Sequence, residues 1–272
     1  MPKLKELNAV VTQKLEIAPG LAIFRVVPDG WSLPEFAPGQ FAVIGLPQAA
    51  PRCAGSEPEA NPEPAGTMVQ RAYSIASSPL AGDHLDLYVI LVPEGVLTPR
   101  LFNLEMGDRL WLSPKITGKF TLEKVPPRAN LILAGTGTGI APYISMVRTY
   151  LTAETGRKLA IIHGVRHSWE LGYGSELIAL QRICPDFAYL PTVSRPHLEH
   201  AEWPGHTGYV QHIWEKGILD QAWGFHPTPD DTHILMCGNP GMIEDMEKII
   251  QAEGFEEHSA RSPGQYHVEK YW

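Results

Sequence analysis

The sequence predicts two domains, an antiparallel β sandwich or barrel followed by an α/β domain with a parallel sheet. Two observations carry this. The first half reads as short apolar strands separated by turns. After "LEKVPPRAN", strand-like and helix-like segments alternate at the spacing of βα units. The boundary falls near Pro126 and Pro127, giving domains 1–126 and 127–272, and 272 residues suffice for both.

In the first half, "DHLDLYVIL" places Leu85, Leu87, Val89 and Leu91 on one face, the period of a half-buried strand. "GDRLWLS" (107–113) is a short strand after a Gly-Asp turn, and "APGQFAVIGL" (37–46) is an apolar run fed by a Pro-Gly turn. About six strands are expected. Between them lies "PQAAPRCAGSEPEANPEPAG" (47–66), with little to bury and no period. It reads as a mobile loop inserted between two strands.

In the second half, "LILAG" (131–135) is a fully apolar strand, and Ile140, Ile144, Val147 and Leu151 form a helical face. "KLAIIHG", "FAYLPTV" and "HILMCG" are strand-like. "SELIALQRI", "YVQHIWEKGIL" and "GMIEDMEKIIQAEG" are helical. This order implies a parallel sheet with helices on both faces, and ligands beyond the carboxyl ends of its strands.

Composition excludes several classes. A net charge of -8 argues against a general nucleic-acid binder. Cys53, Cys184 and Cys237 have no paired spacing, which excludes a disulfide framework and a four-cysteine iron–sulfur or zinc site within the chain. His197, His200, His206 and His212 match no metal-ligand pattern. The opening residues lack the apolar core of a signal peptide, and no apolar run is long enough to span a bilayer. A cytoplasmic location is expected.

Several short motifs suit chemistry. "LILAGTGTGIAPY" sets Gly135, Gly137 and Gly139 between a strand and a helix, with Pro142 in the first turn. Alternating glycines let backbone amides approach a pyrophosphate. The order is neither G-x-G-x-x-G nor a P-loop. "MCGNPGM" (236–242) ends another strand and puts Cys237 at the same sheet edge; alone it reads as a buried thiol before a turn. "RAYSIASSP" offers Arg71 for phosphate, Tyr73 for ring stacking and Ser74 for a short hydrogen bond, although an amphipathic edge strand would look the same. "GVLTPRLFNL" puts Thr98 at an expected N-cap and Pro99 at the first helical position. "GVRHSW" and "VSRPH" place Arg166 and Arg195 just past two strands, where two guanidinium groups suit a phosphomonoester.

In this order, "RAYS", "VPEGVLTPRL", "GTGTGIAPY", "VSR", "CGNPGM" and "VEKYW" resemble one family, the ferredoxin/flavodoxin–NADP(+) reductases of the short bacterial type, over residues 10–272. The resemblance implies an N-terminal antiparallel FAD-binding β-barrel and a C-terminal NADP-binding α/β domain. It implies hydride transfer from NADPH to FAD, then single electrons to ferredoxin or flavodoxin, by a monomer without membrane or nucleic-acid partners. FAD would meet Arg71, Ala72, Tyr73, Ser74, Tyr88, Val89, Gly95, Val96, Leu97, Thr98 and Thr136. Tyr271 and Trp272 would cover the flavin. NADP would meet Gly135, Gly137, Thr138, Gly139, Cys237, Gly238, Asn239, Pro240 and Met242. Arg166, Ser194 and Arg195 would read the 2′-phosphate. Ser74, Cys237, Glu269 and Tyr271 would line the reacting centre. Tyr209 stands in "HTGYV" where relatives often carry an arginine, which weakens the implied NADP preference. Arg100, Lys115, Lys119 and Lys270 are candidate contacts for an acidic carrier. Two other readings compete: a reductase component serving an oxygenase through a separate ferredoxin, and a regulatory flavin- or nucleotide-binding subunit without turnover.

Overall fold

The computed structural model describes residues 5–152 and 156–270. The chain forms two compact units. The first comprises Met1–Thr121 with Ile144–Thr149, and the second Leu122–Tyr143 with Tyr150–Trp272.

The first unit holds strands β1 (Ala9–Ala18), β2 (Leu21–Pro28), β3 (Phe41–Pro47), β4 (Met68–Ser74), β5 (Leu85–Ile90) and β6 (Arg109–Thr117), together with the short helix α1 (Thr98–Phe102). Every pairing is antiparallel, in the order β4-β3-β6-β1-β2-β5. The two outer strands meet at an antiparallel bridge between Ile75 and Leu87, beside a 2.8 Å bond from the Ala76 N–H to the Asp86 carbonyl. A closed sheet leaves no long edge to aggregate. Its core includes Val11, Phe24, Ile44, Leu46, Leu85, Leu87, Leu110 and Leu112.

The alternation in β5 is real, but it does not separate a wet face from a dry one. Asp86 and Tyr88 are buried like Leu85 and Leu87 on the other face. Asp86 tolerates burial because Arg25 grips it at 2.8 and 3.1 Å and Arg148 at 3.2 Å. The Ser77 Oγ also accepts from the Asp86 N–H. A buried carboxylate needs such a set of partners.

The 47–66 segment, expected to be a mobile loop, carries a set of polar contacts between Arg52 and Ala60 that its composition does not announce. Arg52 donates to the carbonyls of Glu57, Pro93 and Gly95 and to the Glu59 carboxylate. Three further amides, of Cys53, Glu57 and Ala60, reach the carbonyls of Pro99, Pro93 and Glu94. Composition missed this because the anchoring is polar and ionic, with few apolar side chains involved.

The second unit holds β7 (Asn130–Thr136), β8 (Leu159–Val165), β9 (Phe187–Val193), β10 (His206–Thr207), β11 (Thr232–Gly238) and β12 (Tyr266–Lys270). All pairings are parallel, in the order β10-β9-β8-β7-β11-β12. Helix α2 (Ala141–Tyr150) follows β7, although its residues Ile144–Thr149 belong to the first unit; α3 (Gly174–Ile183) follows β8, and α6 (Pro240–Ala252) follows β11. The "YVQHIWEKGIL" helix proves to be two, α4 (Val210–Glu215) and α5 (Ile218–Trp223). Gly217 stands between them at φ +61°, a left-handed conformation that ends a helix while the apolar period runs on. The core gathers Ile132, Ala134, Ile162, Ile213, Trp214, Ile234, Met236, Ile243 and Tyr266.

Candidate functional site

The carboxyl end of the parallel sheet is built from the ends of β7 and β11. Gly137 turns at φ +54°, and a Cβ added there would meet nothing within 4 Å. The other two loop glycines answer to packing. A Cβ on Gly139 would lie 2.6 Å from the Cys237 carbonyl oxygen, and one on Gly135 3.0 Å from the Tyr143 ring. Three alternating glycines therefore reflect close packing against backbone at Gly139, close packing against side chains at Gly135 and an open approach at Gly137. Thr136, expected near a flavin, lies in the second unit, where its Oγ1 accepts the Asn239 N–H at 2.9 Å. Gly238, at φ +128°, leaves room for that hydroxyl, since a Cβ would stand 2.3 Å away. Asn239 caps α6, its side chain accepting from the Gly241 and Met242 amides, with Pro240 following. The Met242 side chain belongs to the core.

A residue that the motifs missed supports this loop. His163, fully buried on β8, bonds the Gly137 carbonyl through Nε2 and the Tyr189 hydroxyl through Nδ1, each at 3.1 Å. Burial holds its pKa down to about 4. The ring is therefore neutral, with Nε2–H donating to Gly137 and Nδ1 accepting from Tyr189. A buried histidine inside an apolar strand carries no periodic signal, so only the fold could show it.

Cys237 is fully buried and pairs with Glu269 across the β11–β12 ladder. Its Sγ lies 3.8 Å from Oε2 of that carboxylate.

At the ends of β8 and β9 the backbones of Arg166 and Arg195 run side by side, the Arg195 N–H donating to the Arg166 carbonyl at 3.0 Å. Ser194 donates likewise to Val165 at 2.9 Å. The two guanidinium groups differ. Arg166 is held by Glu170 through Nε at 3.1 Å and Nη2 at 2.7 Å. Arg195 is exposed and has no side-chain partner among the described residues. Tyr209 is also exposed, with its ring 5.7 Å from His212, whose Nδ1 accepts the Tyr209 N–H. Trp169 stacks on His167 at 4.4 Å and lies 5.2 Å from His200. His167, His200 and His212 thus serve as caps or ring partners.

In the first unit, β4 carries Arg71 and Ala72 exposed, Tyr73 half-buried and Ser74 buried. Arg71 donates to the Gln70 carbonyl at 2.7 Å and stands 3.5 Å from Glu63. Tyr88 is buried, and Val89 and Leu97 are core side chains, so Val89 and Leu97 offer a ligand only main-chain atoms. Thr98 does not cap α1 as expected. Leu97 occupies the cap, while the Thr98 hydroxyl accepts the Val92 N–H at 3.0 Å and lies 3.2 Å from the Val92 carbonyl. It closes the 92–98 turn instead. Arg100, expected as a surface docking cation, is buried and donates to Glu59 and to the Gln48 and Val96 carbonyls. Lys115, Lys119 and Lys270 are exposed as expected. Tyr271 and Trp272 lie outside the described residues.

Residues 133–248 match the model of an oxidoreductase NAD-binding domain. The chain is 31% identical to a ferredoxin–NADP reductase of Pseudomonas aeruginosa over 246 residues, 87% of this chain and 86% of that protein. The chain belongs to the ferredoxin/flavodoxin–NADP reductase family. A flavodoxin/ferredoxin–NADP reductase of Shigella flexneri is 30% identical, over 92% of this chain and 93% of its own. Among solved structures, a ferredoxin NADP+ reductase from Neisseria gonorrhoeae with bound FAD and NADP superposes with a TM-score of 0.81 at 25% identity. It covers 97% of this chain and 98% of its own. The family's two-domain architecture, an antiparallel barrel-like sheet and a parallel α/β sheet, is the one seen here.

The residues present fit both expected ligands. In the 92–98 turn the amides of Val96, Leu97 and Thr98 have no hydrogen-bond partner among the described residues, a donor set suited to a diphosphate. In the second unit, Gly137 leaves an open approach beside the strand end.

Proposed function

We propose that this chain is an NADPH-dependent flavoprotein reductase that passes electrons to ferredoxin or flavodoxin. The observation that carries the reading is the near full-length likeness to a ferredoxin NADP+ reductase with bound FAD and NADP, within a family established by the relatives above. Bound FAD supplies the redox chemistry, accepting the hydride of NADPH and releasing electrons one at a time to the carrier.

The chain's own residues supply binding and orientation. Arg71 and the amides of Val96, Leu97 and Thr98 hold the flavin diphosphate, and Tyr73 offers its ring to the isoalloxazine. Ser74, buried at the end of β4, sets a hydrogen bond at the reacting edge. In the second unit, Gly137 and Thr138 receive the NADP pyrophosphate through backbone amides. Arg195, unpaired by any side chain among the described residues, is the principal reader of the 2′-phosphate. Arg166, already neutralised by Glu170, is secondary. Tyr209 stacks on the adenine, replacing a charge with a flat face. Cys237 and Glu269 shape the nicotinamide pocket. The family resemblance assigns the covering of the flavin to Tyr271 and Trp272, which lie outside the described residues. Exposed Lys115, Lys119 and Lys270 contribute positive potential toward an acidic carrier. The chain acts as a monomer in the cytoplasm; no helix among the described residues is long and apolar enough to cross a membrane.

Purified protein tests this directly. It should be yellow, oxidise NADPH with ferricyanide, and reduce ferredoxin or flavodoxin in steady state. A colourless protein with no NADPH oxidation overturns the proposal.

A further inference from the structure

In the 92–98 turn the carbonyls from Pro93 to Val96 are occupied, while the amides of Val96, Leu97 and Thr98 have no hydrogen-bond partner among the described residues. Pro93 O accepts from the Arg52 Nη2 at 2.9 Å and the Glu57 N–H at 3.0 Å. Glu94 O accepts the Ala60 N–H at 3.2 Å, and Gly95 O accepts the Arg52 Nη1 at 3.0 Å. Val96 O accepts from Arg100. Farther on, Pro99 O accepts the Cys53 N–H at 2.9 Å. Two of these carbonyls go to one guanidinium on the inserted segment, and three go to its backbone amides.

The two arginines are joined by one carboxylate. Glu59 Oε1 accepts from Arg52 Nη1 at 2.8 Å and from Arg100 Nη1. The side chains of Glu59 and Arg100 are 11% and 3% exposed, so the pairing is shielded from solvent. A shielded, multiply bonded ion pair fixes geometry, and removing one partner costs far more than a surface pair would. The segment therefore spends its polar groups on one short turn.

We propose that the 48–60 part of the insertion is a clamp that holds this turn with its amides free for the flavin diphosphate, and that Arg52 and Glu59 are positioning residues for cofactor retention. The proposal rests on the flavoprotein reading above. Its logic is electrostatic: a carbonyl turned toward a diphosphate repels it, whereas an amide attracts it. Released from Arg52, the Pro93 and Gly95 carbonyls could rotate toward the anion. Discrimination between phosphorylated and unphosphorylated flavins follows, because riboflavin presents no diphosphate to the turn.

The test is flavin binding to the deflavinated full-length chain, followed by fluorescence quenching with FAD and with riboflavin. Arg52→Ala should weaken FAD at least about tenfold and leave riboflavin within about twofold. Arg52→Lys, which keeps the charge but not the forked geometry, should give an intermediate loss for FAD alone. It decides the matter if the alanine variant does not fold. Glu59→Gln should act in the same direction. Unchanged FAD affinity, or equal losses for FAD and riboflavin, overturns the clamp. Wild-type chain that binds neither flavin overturns the flavoprotein reading instead.

Discussion

Cys237 and Glu269 stand opposite each other across the β11–β12 ladder, with the thiol 3.8 Å from the carboxylate. The carboxylate belongs to the sheet's edge strand and the thiol is fully buried, so the pair is set by backbone pairing rather than by a flexible loop. Glu269→Gln should keep the hydrogen-bonding shape and remove the charge. We expect kcat with NADPH to fall at least about tenfold, roughly 1.4 kcal/mol of barrier, with FAD content unchanged. Stopped-flow flavin reduction checks this; a full rate would assign Glu269 to strand pairing alone.

The two arginines at the ends of β8 and β9 should not be equivalent. Arg195→Ala should raise the KM for NADPH about tenfold or more, with NADH changed less than about twofold. Arg166→Ala should have the smaller effect, because Glu170 already occupies that guanidinium. Parallel kinetics with both nucleotides separate the cases. Equal losses for NADPH and NADH in Arg195→Ala would remove it from 2′-phosphate recognition.

The glycine loop offers a pair of substitutions with opposite signatures. Gly139→Ala drives a methyl to 2.6 Å from the Cys237 carbonyl, so thermal stability should drop by about 1–3 kcal/mol. Gly137→Ala meets no neighbour and pays only for its positive φ, about 1 kcal/mol. Its methyl points into the open approach instead, so the KM for NADPH should rise while Tm falls by only about 2–4 °C. Calorimetry with steady-state kinetics resolves the two.

Stability should depend on pH through His163. Its imidazole has a folded pKa of about 4, below the ordinary 6.5. Between those values the unfolded chain binds a proton that the folded chain refuses. Stability is therefore full above pH 6.5 and falls as pH drops toward 4, by on the order of 3 kcal/mol for this group. His267, also held near 4 by burial and then by its histidine neighbours, acts in the same direction. His163→Gln should flatten the urea-midpoint profile over pH 4–6.5. An unaltered slope would assign the pH response elsewhere.

The elements that were legible were those with strong apolar patterns. β7, β8, β9 and β11 are continuous apolar runs, and each is buried along nearly its whole length. β12 was not read as a strand, because "YHVEK" has no run to recognise and gains its place by pairing with β11. The break at Gly217 was hidden by an apolar period that continues through it. Polar geometry was the least legible. Arg100 looked like a surface cation and is buried, and the inserted segment looked unstructured because ionic anchoring leaves no trace in hydropathy. The site motifs were visible as an ordered set, but which glycines are packed and which face open space emerged only from the backbone.

Residues 144–149 complete the first unit although they follow its last strand by more than twenty positions. Ser145 donates to the Ser77 carbonyl at 2.7 Å, Thr149 bonds Ser78 at 2.8 Å, and Arg148 reaches Asp86. During synthesis, a nascent chain that has emerged only to Thr121 holds all six barrel strands and still leaves the buried Asp86 without one of its two cations. The second cation of Asp86 is therefore supplied only by chain that follows β7 and the glycine loop. A fragment ending at Thr121 would then be a poor way to make the first unit alone, and one extended through Tyr150 a better one.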